Sequence, residues 1–441
     1  MTYTAVVRCP PALTAVMSAT PTSSAPGEFT FEQKTPVCAY LVALVVGELQ
    51  SKDISPRCRV WAQPAVVDAA RHEFEDTEKY LRTAEDLCGP YRWGRYDMVV
   101  LPSSFPYGGM ENPQMTTLTP SLLAGDKSLA DVVVHEIMHS WSGNLATNAT
   151  WSDFWMNEGF TVFAERRVIK KLYGQERADL HRFLGIRELA VDVGRQPAEF
   201  TRLHIPMDGI DPDDSFSKVP YEKGAAFVEY LESLVGGEQV FEPFLKRYFD
   251  RFAFTCVSNT DFEAFFRSAF PHVAVPDWDV WVNGTGMPPS PPPTSALAAR
   301  AETCAEQWFK TRRVPEACEN VDQWSTPERM LLLDKLAEKA PVPQAVLTSV
   351  QQAWSLDDVR NAEVRMRWLR LLLTGEAPVP AKAKTMTVDF LTTYGRMKYV
   401  RPLYRALAAV DPGLAKSTFA ANRSTLHSIA EKMVERDLRG V

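Results

Sequence analysis

The sequence predicts an α+β chain of several units, and three observations lead there. Its 441 residues exceed what a single domain of about 150 usually holds. The apolar periodicity changes along the chain, from period two, to short strands mixed with helices, to an almost wholly helical pattern. A proline cluster, Pro288-Pro289-Ser290-Pro291-Pro292-Pro293, separates the last two regions and reads as a semi-rigid linker. The expected units are a β segment at 1–50, a mixed α/β unit at 51–286, a linker at 287–296 and an all-α, solenoid-like superhelix at 297–441.

Taken in order, residues 2–7 read as a strand, 21–27 as a loop, and 29–33 as a strand alternating in period two. The continuous apolar run 40–46 reads as a buried strand, and it is far short of the ~20 residues that span a bilayer. Strands are expected at 59–62 and 97–101 between amphipathic helices. Beyond the linker, helices are expected at 326–340, 343–354, 356–374 and 424–438. The net charge of −7 (48 basic against 55 acidic residues) offers no basic stripe, which argues against a general nucleic-acid binder. The short apolar stretch 12–17 follows Arg8 and Pro10-Pro11, so a signal peptide is not expected there. Seven scattered cysteines without a C-x-x-C pair fit a reducing compartment, so a cytoplasmic protein is expected.

The chemistry is concentrated between 108 and 223. His135-Glu136-Ile137-Met138-His139 lies in a segment whose apolar residues, Leu129, Val132, Val133, Ile137 and Trp141, recur at helical spacing. Ser128 with Asp131 resembles a capping box, and Gly143-Asn144 is the expected stop. Histidines four apart share one helix face and can share a zinc ion, with Glu136 beside them to accept a proton from water. With seven histidines in 441 residues, the chance expectation of H-E-x-x-H is on the order of 0.01. A third ligand is needed. Downstream, Ser152 reads as the N-cap of a helix that ends at Gly174. On it Glu158 sits among Trp155, Met156, Phe160 and Phe163, where an unpaired charge is costly. Glu165, two turns on, either orients a ligand histidine or pairs with Arg166 or Arg167.

These motifs resemble a known family. H-E-x-x-H, eighteen residues (140 to 157), then Glu158 in a Trp-x-Asn-Glu-Gly context is the signature of the gluzincin zinc aminopeptidases, and Gly108-Gly109-Met110-Glu111-Asn112 matches their Gly-x-Met-Glu-Asn motif. Pro220-Tyr221-Glu222-Lys223-Gly224 and Gly395-Arg396-Met397-Lys398 narrow the resemblance to the leukotriene A-4 hydrolase and aminopeptidase B-like branch, over essentially the whole chain. The resemblance implies a thermolysin-like catalytic unit with one zinc held by His135, His139 and Glu158. It implies a zinc-activated water attacking the first peptide bond, with Glu136 as general base and Tyr221 as oxyanion donor. Glu111 would bind the free α-amine, Gly108, Gly109 and Met110 would line the substrate groove, and Arg396 and Lys398 would receive the distal carboxylate. Asp213 matches an inner-pocket position, where an acid favours a basic N-terminal residue. Read without the resemblance, Tyr221 is a loop anchor, Glu111 a cap or surface acid, and Arg396 with Lys398 a solvated turn.

The sequence departs from the family in three places. About fifty residues precede the catalytic unit where the family carries a saddle-shaped β domain, so a β remnant, an exposed strand edge and an incomplete cleft wall are expected. None of Gln33, Gln50 and Gln63 matches the branch's Gln-x-Gln-Ala segment, and the chain is expected to start at an internal methionine of a longer frame. Phe216 replaces a second tyrosine, and His181 and His204 are expected to be packing or surface residues. The expected partners are short peptides with a free N-terminus, with the chain a monomer that binds no nucleic acid. A lipid epoxide is the alternative substrate, and an inactive truncated scaffold is the third reading.

Overall fold

The computed structural model describes residues 1–274 and 277–439. Strands Tyr3–Arg8, Glu28–Gln33 and Thr20–Ala25 form a three-stranded antiparallel sheet, in that order, with the first and last at its edges. Its inward face (Tyr3, Ala5, Val7, Phe29, Phe31) packs on Ala15, Met17 and Ala19. Two expectations change here. The predicted loop 21–27 is mostly strand: Thr20–Ala25 is exposed along its whole length and is held by its backbone ladder, so burial leaves no period in its sequence. The run 40–46 is not one buried strand. It is a 3-10 turn, Ala39–Leu41, followed by strand Leu44–Gly47, whose Leu44 and Val46 point outward.

The second sheet has five strands in the order Gln50–Asp53, Cys58–Ala62, Tyr96–Val100, Thr116–Leu118 and Gly109–Met110. The pairs of Cys58–Ala62 with Tyr96–Val100, and of the latter with Thr116–Leu118, are parallel; the first crossover runs through helices Val67–Glu73 and Thr77–Cys88. Val60, Met98, Val99 and Leu118 are fully buried, as in a sheet covered by helices. Gly109–Met110 pairs antiparallel with Thr116–Leu118 and forms the sheet's edge beside the motif helix.

The motif helix spans Asp131–Met138, and the second motif helix Trp155–Tyr173. Neither begins as predicted. Ala130 occupies the first N-cap, while the Ser128 side chain pairs with Asp126 and Asn361 instead. Ser152 lies inside a 3-10 turn, Trp151–Asp153, that leads into the second helix. The first helix also stops earlier than Gly143, because the chain folds back through tight turns toward strand Ala146–Asn148.

The second motif helix crosses helix Gly224–Leu234 backbone to backbone. A Cβ on Gly159 would stand 2.7 Å from the Gly224 carbonyl carbon, and one on Gly224 would stand 2.9 Å from Gly159 Cα. This crossing sets the distance between Glu158 and the turn that carries Tyr221. Gly159→Ala is therefore expected to lower stability by about 1–3 kcal/mol through overpacking. A thermal midpoint equal to wild type would contradict this close approach.

The described residues beyond the proline cluster are mostly helical. Helices Ala296–Thr311, Thr326–Ala337, Ala362–Leu373, Met397–Val410 and Ser428–Leu438 touch successively in one row, as in a solenoid. One core there gathers Trp308, Trp324, Trp354 and Trp368, and also takes in Leu180 from helix Gln175–Val193 of the preceding unit. Backbone bonds from Gly395 N to Ser103 O (2.7 Å) and from Met397 N to Pro106 O (2.9 Å) stitch the helical unit to the loop before Gly108.

Candidate metal centre

Helical spacing puts His135 and His139 on one face, and the second motif helix brings Glu158 opposite them. Glu158 Oε2 lies 3.5 Å from His135 Nε2 and 3.4 Å from His139 Nε2. It is buried and makes no hydrogen bond. Ligand atoms around a tetrahedral zinc with bonds of ~2.0–2.1 Å stand roughly 3.3–3.4 Å apart, so the spacing is that of a shared cation rather than of direct contacts.

The opposite ring nitrogens are occupied. His135 Nδ1 is 2.9 Å from Glu165 Oε2, and His139 Nδ1 is 2.8 Å from the Ser142 carbonyl. With the proton on Nδ1 donated to these acceptors, each Nε2 lone pair faces the centre. Thr161 Oγ1 lies 3.1 Å from His139 Nδ1 and reaches the same Ser142 carbonyl.

The charges agree with this fit. Burial opposes a charge on His139, but the carboxylates of Glu111 and Glu158 outweigh it and raise the imidazole to about 9. Burial likewise opposes a charge on Glu158, yet the two histidines hold it down to about 2. A pocket with this much buried carboxylate requires positive charge. A divalent cation supplies it and leaves both imidazoles neutral, as ligands must be.

Glu111, Glu136 and His139 form a second, overlapping group, with ligand atoms within 4.8 Å of one another. Burial pushes Glu136 up to about 7, against the pull of the two histidines. The edge strand lies against this carboxylate: a Cβ on Gly109 would meet Glu136 Oε1 at 2.3 Å. Gly108 is equally constrained, since a Cβ there would stand 2.7 Å from an Arg396 guanidinium nitrogen. Arg396 also donates to Tyr399 Oη (2.8 Å), and Lys398 pairs with Glu363 at 2.8 Å.

Tyr221 lies on a π-helical turn, Val219–Lys223, with its ring stacked 6.2 Å from that of His135. Burial and the carboxylates of Glu158, Glu111 and Glu136 push its hydroxyl far above the usual range, so it stays protonated. Behind it Glu222 takes the buried Arg166 guanidinium, and the Lys223 ammonium donates to the carbonyls of Thr201 (2.9 Å), Gly284 (2.7 Å) and Gly286 (3.0 Å).

Not every candidate joins this cluster. Asp213 is exposed on the 3-10 turn Pro212–Asp214, where its field reaches the Tyr107 hydroxyl, and is not in an inner pocket. Phe216 is exposed, edge-on to Tyr221. His204 pairs with Asp153 and His181 is half-buried within the field of Glu165, and neither belongs to the ligand group. Sequence reasoning missed Tyr40. Its hydroxyl donates to the Gly143 carbonyl (3.4 Å) and accepts from Asn157 Nδ2 (3.1 Å), which ties the first fifty residues to the floor of the site. Tyr40 was the one hydroxyl in an otherwise apolar run, a signal for such an anchor.

A profile described as the peptidase family M1 domain matches residues 72–276, and one described as leukotriene A4 hydrolase, C-terminal, matches 324–438. The chain is 40% identical over 460 residues to aminopeptidase B of Mus musculus, covering 99% of this chain and 70% of that one. It is 40% identical over 424 residues to leukotriene A-4 hydrolase of Xenopus laevis, covering 93% and 69%. Among solved structures it is similar to yeast LTA4 hydrolase in complex with bestatin, with a TM-score of 0.93 and 34% identity over 99% of this chain and 74% of that one. Among the described residues, no helix is long and apolar enough to cross a membrane.

Proposed function

The chain belongs to the M1 zinc peptidases, in the branch that holds aminopeptidase B and leukotriene A-4 hydrolase, and from that premise we propose that it removes N-terminal residues from short peptides. The observation that carries the reading is the overlap of two groups on His139: a ligand set with His135 and Glu158, and a carboxylate pair, Glu111 and Glu136, beside it. His135, His139 and Glu158 would hold the family's single zinc, which would polarise the scissile carbonyl and make water acidic.

The chain's own residues do the rest. Glu136 accepts the proton of the attacking water and delivers it to the leaving amine; burial raises its proton affinity above that of an ordinary carboxylate, as suits a base that must also act as an acid. Tyr221, held protonated, donates a hydrogen bond to the oxyanion. Glu111 takes the substrate's α-ammonium, and Gly109–Met110 offers an unpaired strand edge to the substrate backbone. Arg396 and Lys398, balanced by Glu363, receive the far carboxylate of a short peptide. Seven free cysteines among the described residues support a reducing compartment, and the cytoplasm is the proposed location.

N-acetylation of the substrate tests the reading. It removes the cation that Glu111 would pair with and leaves that carboxylate desolvated, so kcat/KM for acetylated arginyl or alanyl amides is expected to fall at least about a hundredfold. Comparable cleavage of blocked and free peptides would instead indicate an endopeptidase.

A further inference from the structure

Three buried carboxylates surround the Tyr221 hydroxyl, and each opposes the flow of negative charge onto it. Lys218, three residues earlier, places its ammonium 5.3 Å from the centroid of the Tyr221 ring. Its position is fixed from two directions. Nζ pairs with Glu188 Oε2 at 3.2 Å, and the Lys218 backbone N–H donates to Asp192 Oδ2 at 2.8 Å; both acids lie on helix Gln175–Val193. The Lys218 carbonyl in turn accepts the Glu222 N–H at 2.9 Å, closing the turn that presents Tyr221.

We infer that Lys218 is a positioning residue for Tyr221, whose ammonium over the ring face strengthens the phenol as a hydrogen-bond donor. A cation over an aromatic face is attracted by the ring's electron density and polarises it. Density drawn toward the ammonium leaves the hydroxyl hydrogen more positive. That gain is largest in the transition state, when the acceptor carries most charge, so it enters kcat more than KM. The Glu188 clamp holds the ammonium over the ring, where a free lysine would extend into water. The inference rests on the reading of Tyr221 as the oxyanion donor.

A double-mutant cycle on the zinc-loaded protein separates the two claims. K218M is expected to lower kcat for an alanyl amide about three- to tenfold at unchanged KM and thermal midpoint. K218R, which keeps the charge, should recover most of that loss. Y221F is expected to lose about a hundredfold or more, and adding K218M to it should change nothing further. An equal loss from K218M in both backgrounds, a change confined to KM, or no loss at all would overturn the inference. Near-normal activity of Y221F would overturn the reading beneath it, whatever K218M does. Should K218M fold poorly, K218Q takes its place in the cycle.

Discussion

Glu136→Gln yields a folded protein that keeps its zinc and hydrolyses arginyl and alanyl amides about 10³- to 10⁴-fold more slowly than wild type. The substitution is close to isosteric, which matters because the space is tight: Glu136 is buried beneath the Gly109 backbone. A glutamine keeps that contact and still bonds to neighbours, but it cannot accept a proton from water. Because Glu136 is not part of the group formed by His135, His139 and Glu158, metal content should stay near one per chain. The loss should appear in kcat, since the proton moves only as the transition state forms. Elemental analysis alongside steady-state kinetics checks both halves. Retention of more than about a tenth of wild-type kcat would remove Glu136 from the role of base.

His139→Ala is expected to abolish both zinc binding and activity. His139 is 2% exposed, so no solvent molecule easily replaces its nitrogen, and its loss leaves two ligands where a catalytic zinc needs three. It also removes a group that keeps Glu158 ionised, and a buried carboxylate without a cation takes up a proton. Glu165→Gln makes the informative contrast. That residue orients His135 through Nδ1, so its loss should weaken zinc binding about 10- to 100-fold without eliminating it. Zinc titration of the metal-free proteins distinguishes the cases. Tight zinc binding by His139→Ala would mean that another residue completes the site.

The parts of this site that could be read from sequence are those where chemistry demands a fixed residue type at a fixed helical spacing. His135 and His139 meet because they are four apart on a helix, and Glu165 reaches His135 because a second helix lies alongside. The same reasoning failed where contacts come from distant chain segments. Tyr40 is more than a hundred residues from its partner Gly143, and nothing in its own neighbourhood names that partner. Lys218 is an ordinary loop lysine until helix Gln175–Val193 supplies Glu188. Helix starts were misread because serines marked them: Ser128 and Ser152 spend their side chains or backbones on other turns. Strand Thr20–Ala25 went unseen because it buries nothing. The unit 297–441 was legible as helices, but the row they form depends on how their faces meet.

Lys223 carries a consequence for how firmly Tyr221 is seated. Its ammonium is held by three carbonyls, two of them at Gly284 and Gly286, just ahead of the proline cluster, and it is two residues from Tyr221. Swinging the tail of the catalytic unit away from the Tyr221 turn would break the two charge-assisted bonds to Gly284 and Gly286, a cost of roughly 3 kcal/mol or more. The cleft has no joint at that point. The Tyr221 hydroxyl is thus presented from a seat bolted to the end of the catalytic unit, and not from a swinging loop.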